Sequence, residues 1–199
     1  MFAPVIAALL LGGAGRGPGV AGGPPGVGLR GPAAADGAPV LGLRGPAVAG
    51  VGVSLDVPTV KGNVSIQLPK GWVSVGGRAL LAAQAPAADK DATGQFQASL
   101  TISQDAGNNV NGAAQQAIVA KQMPGYRVME APTPVVIGGV PGVAFGGSFK
   151  SGTVDLRSRQ YMFAVNNQVY TITITCLSSR WAAYQGVVEA SVGTFVVKK

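Results

Sequence analysis

The chain contains no histidine and a single cysteine, Cys176. Without imidazole there is no Ser-His-Asp triad, no histidine metal ligand and no proton shuttle of the usual physiological kind. One thiol excludes an intrachain disulfide and every paired-cysteine zinc or redox motif. No cysteine falls in the first fifty residues, so a lipobox is missing there as well. Charge is sparse, at 12% of 199 residues, and aromatics make up only 6%. Long apolar runs are also lacking. Phe2 to Leu11 is apolar but far too short to cross a bilayer as a helix, and no transmembrane helix is expected.

What is present divides near residue 50. Residues 1–50 hold 14 of the 31 glycines, 7 of the 14 prolines and one aromatic, Phe2. A segment so poor in large side chains cannot bury enough apolar surface to offset its ordering entropy. Residues 1–55 are therefore expected to be a disordered leader, signal or linker. Ala33-Ala34-Ala35 and Ala47-Val48-Ala49 offer small-residue cleavage sites, although the first basic residue, Arg16, follows the apolar run instead of preceding it. A low-complexity linker or an over-extended gene start is the competing reading, and the recurrence of Gly28-Leu29-Arg30-Gly31-Pro32-Ala33 as Gly42 to Ala47 fits it. Residues 60–199 carry both tryptophans, all four tyrosines and five phenylalanines, and form the expected folded domain.

The net charge is +7, and residues 51–199 set 12 Lys and Arg against 7 Asp and Glu. These cations are scattered, with Lys198-Lys199 the only run and no aromatic-basic pattern suited to stacking bases. The charge reads as solubilising, and no nucleic-acid partner is expected.

Val64, Ile66 and Leu68 alternate with Ser65 and Gln67, which predicts a strand with one buried face, broken at Pro69. Phe96, Ala98, Leu100 and Ile102 alternate in the same way, and Ala85 to Gly94 reads as a surface loop. Asn108-Asn109 is positioned to cap a helix whose apolar stripe is Val110, Ala113, Ala114, Ala117 and Ile118, ended by Pro124-Gly125. Tyr126–Ala131, Val135–Ile137 and Val143–Phe149 predict further strands, punctuated by Gly138-Gly139 and Pro141-Gly142. Val154–Val165 and Gln168–Cys176 predict a long hairpin turning at Asn166-Asn167, because asparagine tolerates positive φ. Tyr170, Ile172, Ile174 and Cys176 share one face of it, so Cys176 is read as a buried structural thiol. Ser178 or Ser179 would cap a last helix with Trp181, Tyr184 and Val188 on its apolar stripe, and Thr194-Phe195-Val196-Val197 closes the chain as a strand. Trp72 and Trp181 are both expected in the core.

The opening Leu68-Pro69-Lys70-Gly71-Trp72, the segment Gly138-Gly139-Val140-Pro141-Gly142 and the closing Tyr170…Arg180-Trp181…Thr194-Phe195 together resemble the PsbP/DcrB superfamily, which includes LpqN-like domains. The resemblance covers roughly residues 62–197. It implies an α+β fold, an antiparallel β-sheet flanked by helices in an α-β-α sandwich, and a binding or assembly role, usually without catalysis. These motifs are structural residues, and no functional residue carries over from the family.

Catalysis is not expected. The carboxylates Asp89, Asp91, Asp105, Glu130, Asp155 and Glu189 are dispersed, and Gly76-Gly77-Arg78 lacks the spacing of a phosphate loop. Accordingly no catalytic, cofactor-binding or metal residue is assigned, no cofactor is expected, and the binding residues are left open. The expected role is a non-catalytic envelope, periplasmic or secreted accessory domain acting through protein or small-ligand contacts. The alternative is a cytosolic chaperone of a secretion-system effector. A protein partner is expected on one sheet face or a groove beside a helix, with Lys150, Arg157 and Arg159 along its rim, and the oligomeric state is left open.

Overall fold

Strands β1 (Leu55–Lys61), β2 (Val64–Pro69), β3 (Val73–Val75), β4 (Leu81–Gln84) and β5 (Ser99–Ala106) precede helix α1 (Gly112–Gln122). Then come β6 (Arg127–Ile137), β7 (Val140–Ser151), β8 (Val154–Val165) and β9 (Gln168–Leu177), a 3-10 turn over Ser178–Arg180, helix α2 (Trp181–Gly193) and β10 (Val196–Val197). The computed structural model describes residues 55–198 apart from 62, 77–78 and 87–95, with only the backbone of 55–61. The leader expected over 1–55 lies outside the described residues except for its last position. Asp89, Asp91 and most of the expected loop at 85–94 lie outside them as well.

Every strand pairing is antiparallel. A three-stranded sheet has the order β1-β2-β10, and a seven-stranded sheet has the order β3-β4-β5-β9-β8-β7-β6. The alternation of β2 buries Val64, Ile66 and Leu68 in the main core, which also takes Leu100 and Ile102 of β5 and Ile172, Ile174 and Cys176 of β9. Trp181, Tyr184, Val188 and Val192 of α2 close that core from the same side of the large sheet. Each such side chain, fully buried, contributes about 1.5–3 kcal/mol of transfer free energy. Helix α1 covers the opposite face, where Val119 and Met123 meet Phe149 and Leu156. The result is the expected α+β, PsbP-like α-β-α sandwich, with helices on both sides of an antiparallel sheet.

The first and last parts of the chain lock onto each other. Ser191 Oγ donates to the Gln67 carbonyl, and the Gln67 N–H donates to Thr194 Oγ1 at 2.8 Å. Asn63 Nδ2 donates to the Tyr170 hydroxyl at 3.0 Å, while Phe163 stacks on Tyr170 at 5.7 Å and meets Phe195 edge-on at 5.1 Å. Trp72 meets Tyr184 edge-on at 5.9 Å. Both tryptophans are thus core residues, as expected.

The hairpin at Asn166-Asn167 forms with φ of 52° and 59°, the left-handed pair that a two-residue turn requires. Elsewhere the sequence reading needs correction. The expected break at Pro141-Gly142 does not exist, because both lie inside β7, and the 11-residue β6 runs unbroken through Pro132 and Pro134. The turn between them is Gly138-Gly139. Gly138 has φ +55°, and a Cβ there would sit 2.3 Å from the Phe195 carbonyl oxygen, so neither the conformation nor the space admits a side chain.

Helix α1 is capped by Asn111, whose Oδ1 accepts from the Ala114 N–H at 2.9 Å, and not by Asn108 or Asn109. Its buried residues are Gly112, Gln116 and Val119; Ala113, Ala114 and Ala117 are exposed, and so is Ile118. The stripe is rotated because the helix rests on a sheet surface that asks for closeness and hydrogen bonding. A Cβ at Gly112 would lie 2.8 Å from the Val143 side chain, and Gln116 Nε2 donates to the Glu130 carbonyl at 2.9 Å. Helix α2 has no side-chain cap, so neither Ser178 nor Ser179 plays the role expected of it.

Candidate functional site

Strand β6 is one of the two edges of the seven-stranded sheet among the described residues, and two register breaks, between Val128 and Glu130 and between Glu130 and Thr133, flank Glu130. Such irregularities re-aim side chains at sheet edges. Here the Glu130 carbonyl faces α1, where Gln116 holds it, while the carboxylate reaches the α2 side of the sheet. On β8, Arg157, Arg159 and Tyr161 alternate onto that same side. Glu130 Oε1 lies 2.7 Å from Arg157 Nη2, and Glu130 Oε2 lies 2.9 Å from Arg159 Nε. Arg159 Nη1 also pairs with Glu189 of α2, whose Oε1 accepts from Gln185 Nε2 at 3.0 Å.

Aromatic faces complete the mounting. The Arg157 guanidinium lies 4.5 Å from the Trp181 ring centroid and that of Arg159 lies 5.2 Å from the Tyr161 ring. Guanidinium over a ring is favourable by about 0.5–2 kcal/mol depending on desolvation. The two arginine side chains are 21% and 19% exposed, so the network is fixed yet reachable. Burial raises the Tyr161 hydroxyl well above the usual tyrosine range; nearby Arg159 opposes this and Glu189 and Glu130 add to it. The hydroxyl therefore stays protonated, and it finds no hydrogen-bond partner among the described residues.

The expected basic rim is corrected by these pairings. Arg157 and Arg159 do not form a bare cationic edge, because Glu130 and Glu189 neutralise them; Lys150 lies further out, pairing with Asp155 at 3.5 Å between two exposed side chains. The carboxylates read as dispersed are in part gathered: Glu130 and Glu189, 59 positions apart, share Arg159. Asp105 stays exposed on β5. Cys176 is fully buried, and burial pushes its thiol up to about 11 against the smaller opposing pull of Arg157 and Arg180, so it is not a nucleophile at neutral pH. Among the described residues no three of His, Cys, Asp and Glu come together as a metal cluster.

Two open depressions flank the Glu130 network. One, of about 230 Å³, lies between Val135–Ile137 and the C-terminal half of α2, with Arg159, Tyr161 and Glu189 in its wall. The other, of about 370 Å³, lies toward the start of β6. Between and beside them β6 leaves Val128, Met129 and Val136 exposed, at 57%, 52% and 71%. The sequence reading named Arg157 and Arg159 at a rim but missed their junction with Glu130, Glu189 and the aromatic rings, although Arg157, Arg159 and Tyr161 at period two gave a signal for one shared face.

No protein-family model matches the chain, and no curated protein matches it by sequence. Solved structures do match. LpqN, involved in cell envelope biogenesis of Mycobacterium tuberculosis, aligns with 13% identity and a TM-score of 0.56 over 76% of this chain and 88% of that one. The cyanobacterial PsbP of Synechocystis sp. PCC 6803 aligns with 10% identity and a TM-score of 0.51 over 78% of this chain and 98% of that one. The chain therefore has a PsbP/LpqN-like fold. Among the described residues no helix is long and apolar enough to cross a membrane.

Proposed function

We propose that the chain is a non-catalytic accessory domain of the cell envelope or a secreted compartment, and that it binds a protein partner along β6. The observation that carries this reading is the character of that edge. Counting back from the closing pair Ile137/Val140 of the two-residue turn, Val135 and Thr133 turn their backbone toward β7, while Val136 and Pro134 turn theirs outward. Pro132 lies inside the register break between Glu130 and Thr133, where the regular ladder is interrupted. Prolines at outward positions withhold the N–H groups that another strand would need, which blocks indiscriminate edge pairing. Contact with a partner is then left to side chains, and β6 presents Met129 beside the anchored arginines with Val128 and Val136 exposed along the same edge. Methionine and arginine are enriched at interfaces, and a pre-fixed arginine gives up little entropy on binding.

The envelope placement is supported by the shared fold with LpqN, and the lack of catalysis by the engagement of the gathered carboxylates with guanidinium groups. In this reading residues 1–55 form a leader or linker separate from the domain at 60–199. The test compares cross-linked partners of the full chain and of Val136→Lys and Met129→Glu in the native host, with sequencing of the mature N-terminus. A partner that is lost with either variant, from a chain processed within residues 1–55, supports the proposal. An unprocessed N-terminus with a secretion effector as the partner would favour the cytosolic chaperone instead. A turnover abolished by Glu130→Gln would overturn the non-catalytic role.

A further inference from the structure

The larger depression has a built floor. Arg127, Ser148 and Arg157 occupy one register row across β6, β7 and β8, so their side chains leave the same face of the sheet. With strands about 4.8 Å apart, the stems of the two arginines stand roughly 10 Å from each other with the serine hydroxyl between them. Met129, Asp155 and Ser178 complete the lining of the roughly 370 Å³ space, a volume within the range of ordinary ligand sites, about 300–1,000 Å³. Two donors here are unused: Ser178 Oγ and Arg157 Nε are both buried without a hydrogen-bond partner among the described residues. Buried donors left in that state cost stability unless something supplies an acceptor.

Charge points the same way. On this side of the sheet Arg127, Arg157, Arg159, Lys150 and Arg180 face Glu130, Glu189 and Asp155. Glu130 pairs with Arg157 and Arg159, Glu189 with Arg159, and Asp155 with Lys150. Arg180 lies over the Tyr184 ring, and Arg127 is exposed and makes no ion pair among the described residues. The 3-10 turn that begins at Ser178 and the helix that follows it carry no side-chain cap and no acidic residue in their first turns. The positive end of the helix is therefore not offset by a carboxylate of its own.

We propose that this depression binds a phosphate-type oxyanion, held between the Arg127 and Arg157 guanidinium groups with the Ser148 and Ser178 hydroxyls as further donors. Two guanidinium forks and short hydroxyls suit a tetrahedral oxyanion, which accepts from several directions at once. Free phosphate and the phosphate of a lipid headgroup share this chemistry. The site goes beyond the protein-contact reading of β6 and stands without it.

The test follows the indole N–H resonance of Trp181, which reports on the guanidinium stacked over it, in the full-length chain. One arm titrates inorganic phosphate at constant ionic strength against chloride. The other adds vesicles of phosphatidylcholine with or without phosphatidylglycerol and measures co-sedimentation. Saturable perturbation of Trp181 by phosphate identifies a soluble ligand, while Arg127-dependent sedimentation with phosphatidylglycerol vesicles alone identifies a headgroup. In the arm that responds, Arg127→Gln should weaken binding at least about tenfold, the loss of one charge-assisted pair. Ser178→Ala should weaken it less, and Lys121→Gln, on α1 across the sheet, should leave it unchanged. Equal weakening by Arg127→Gln and Lys121→Gln would reduce the effect to net charge and overturn the site. So would silence in both arms.

Discussion

Replacing Glu130 by glutamine removes one charge and leaves the stem, the bulged backbone and the Gln116 contact to its carbonyl in place. Arg159 keeps Glu189, but Arg157 loses its only carboxylate partner among the described residues. The cost lies between two limits. An exposed ion pair is worth about 0.2–1 kcal/mol, whereas orphaning a fully buried charge costs about 3–5 kcal/mol. Arg157 and Glu130 have side chains 21% and 25% exposed, and the Trp181 ring blocks one face of the guanidinium. That places Glu130→Gln at about 2 kcal/mol, or a fall in Tm of roughly 4–8 °C for a domain of this size. Urea unfolding should show a lower midpoint with an unchanged slope, which separates lost stability from an altered denatured state. Arg157→Met, which fills the same space over Trp181 without a charge, should recover at least about 1 kcal/mol when combined with Glu130→Gln. A Glu130→Gln protein within about 0.5 kcal/mol of wild type would refute the reasoning, since the network would then be surface decoration.

Cys176 should resist a thiol reagent at pH 8 until the chain is unfolded. Its thiol, held at about 11 against an ordinary 9.0, keeps its proton in the folded state while the unfolded chain loses it, so its contribution to stability is complete below pH 9 and declines as pH rises toward 11. Wild type should therefore lose roughly 2–3 kcal/mol more than Cys176→Ala across that interval, and parallel alkaline unfolding curves would contradict it. Gly138→Ala should destabilise by at least about 2 kcal/mol, measured by thermal unfolding, because the β6–β7 turn and the Phe195 carbonyl both exclude a methyl group. Trp181→Ala should cost about 3–5 kcal/mol; unchanged stability with lost binding would move Trp181 from the core to the site.

Much of the fold was written locally, and the reasons can be read at particular residues. Val64-Ser65-Ile66-Gln67-Leu68 alternates because one face of β2 is buried and the other is not, and period two survives as long as that asymmetry holds. Asn166-Asn167 revealed a turn because few other residues accept positive φ twice in succession. The helix at 112–122 was visible as an element, but its orientation was not. Alanine is both a good helix former and a plausible core residue, so Ala113, Ala114 and Ala117 mimicked a buried stripe. The true contact face consists of Gly112, Gln116 and Val119, and the roles of the first two depend on strands 14 to 31 residues away. Continuous β6 escaped notice for a related reason: prolines demote a run to an edge or a break, and only the finished sheet shows that it is the edge.

The site was less legible than the fold because its parts meet only through register. Arg127, Ser148 and Arg157 have no common spacing in the sequence; they become neighbours because β6 pairs with β7 through the Gly138-Gly139 turn and β7 with β8 through the turn at Gly152. A shift of one residue in either hairpin would send one arginine to the α1 face. The Glu130 carboxylate depends further on two bulges, which no alternation pattern announces. What the sequence did carry was the period-two series Arg157, Arg159, Tyr161 on the strand whose other face holds Leu156 and Met162. Charged residues placed in phase with Tyr161, which is buried in the main core, must either be paired or bind something, since unpaired guanidinium groups there would be costly. The structure pairs these two with Glu130 and Glu189, and among the described residues it leaves Arg127 at the end of the row without a carboxylate.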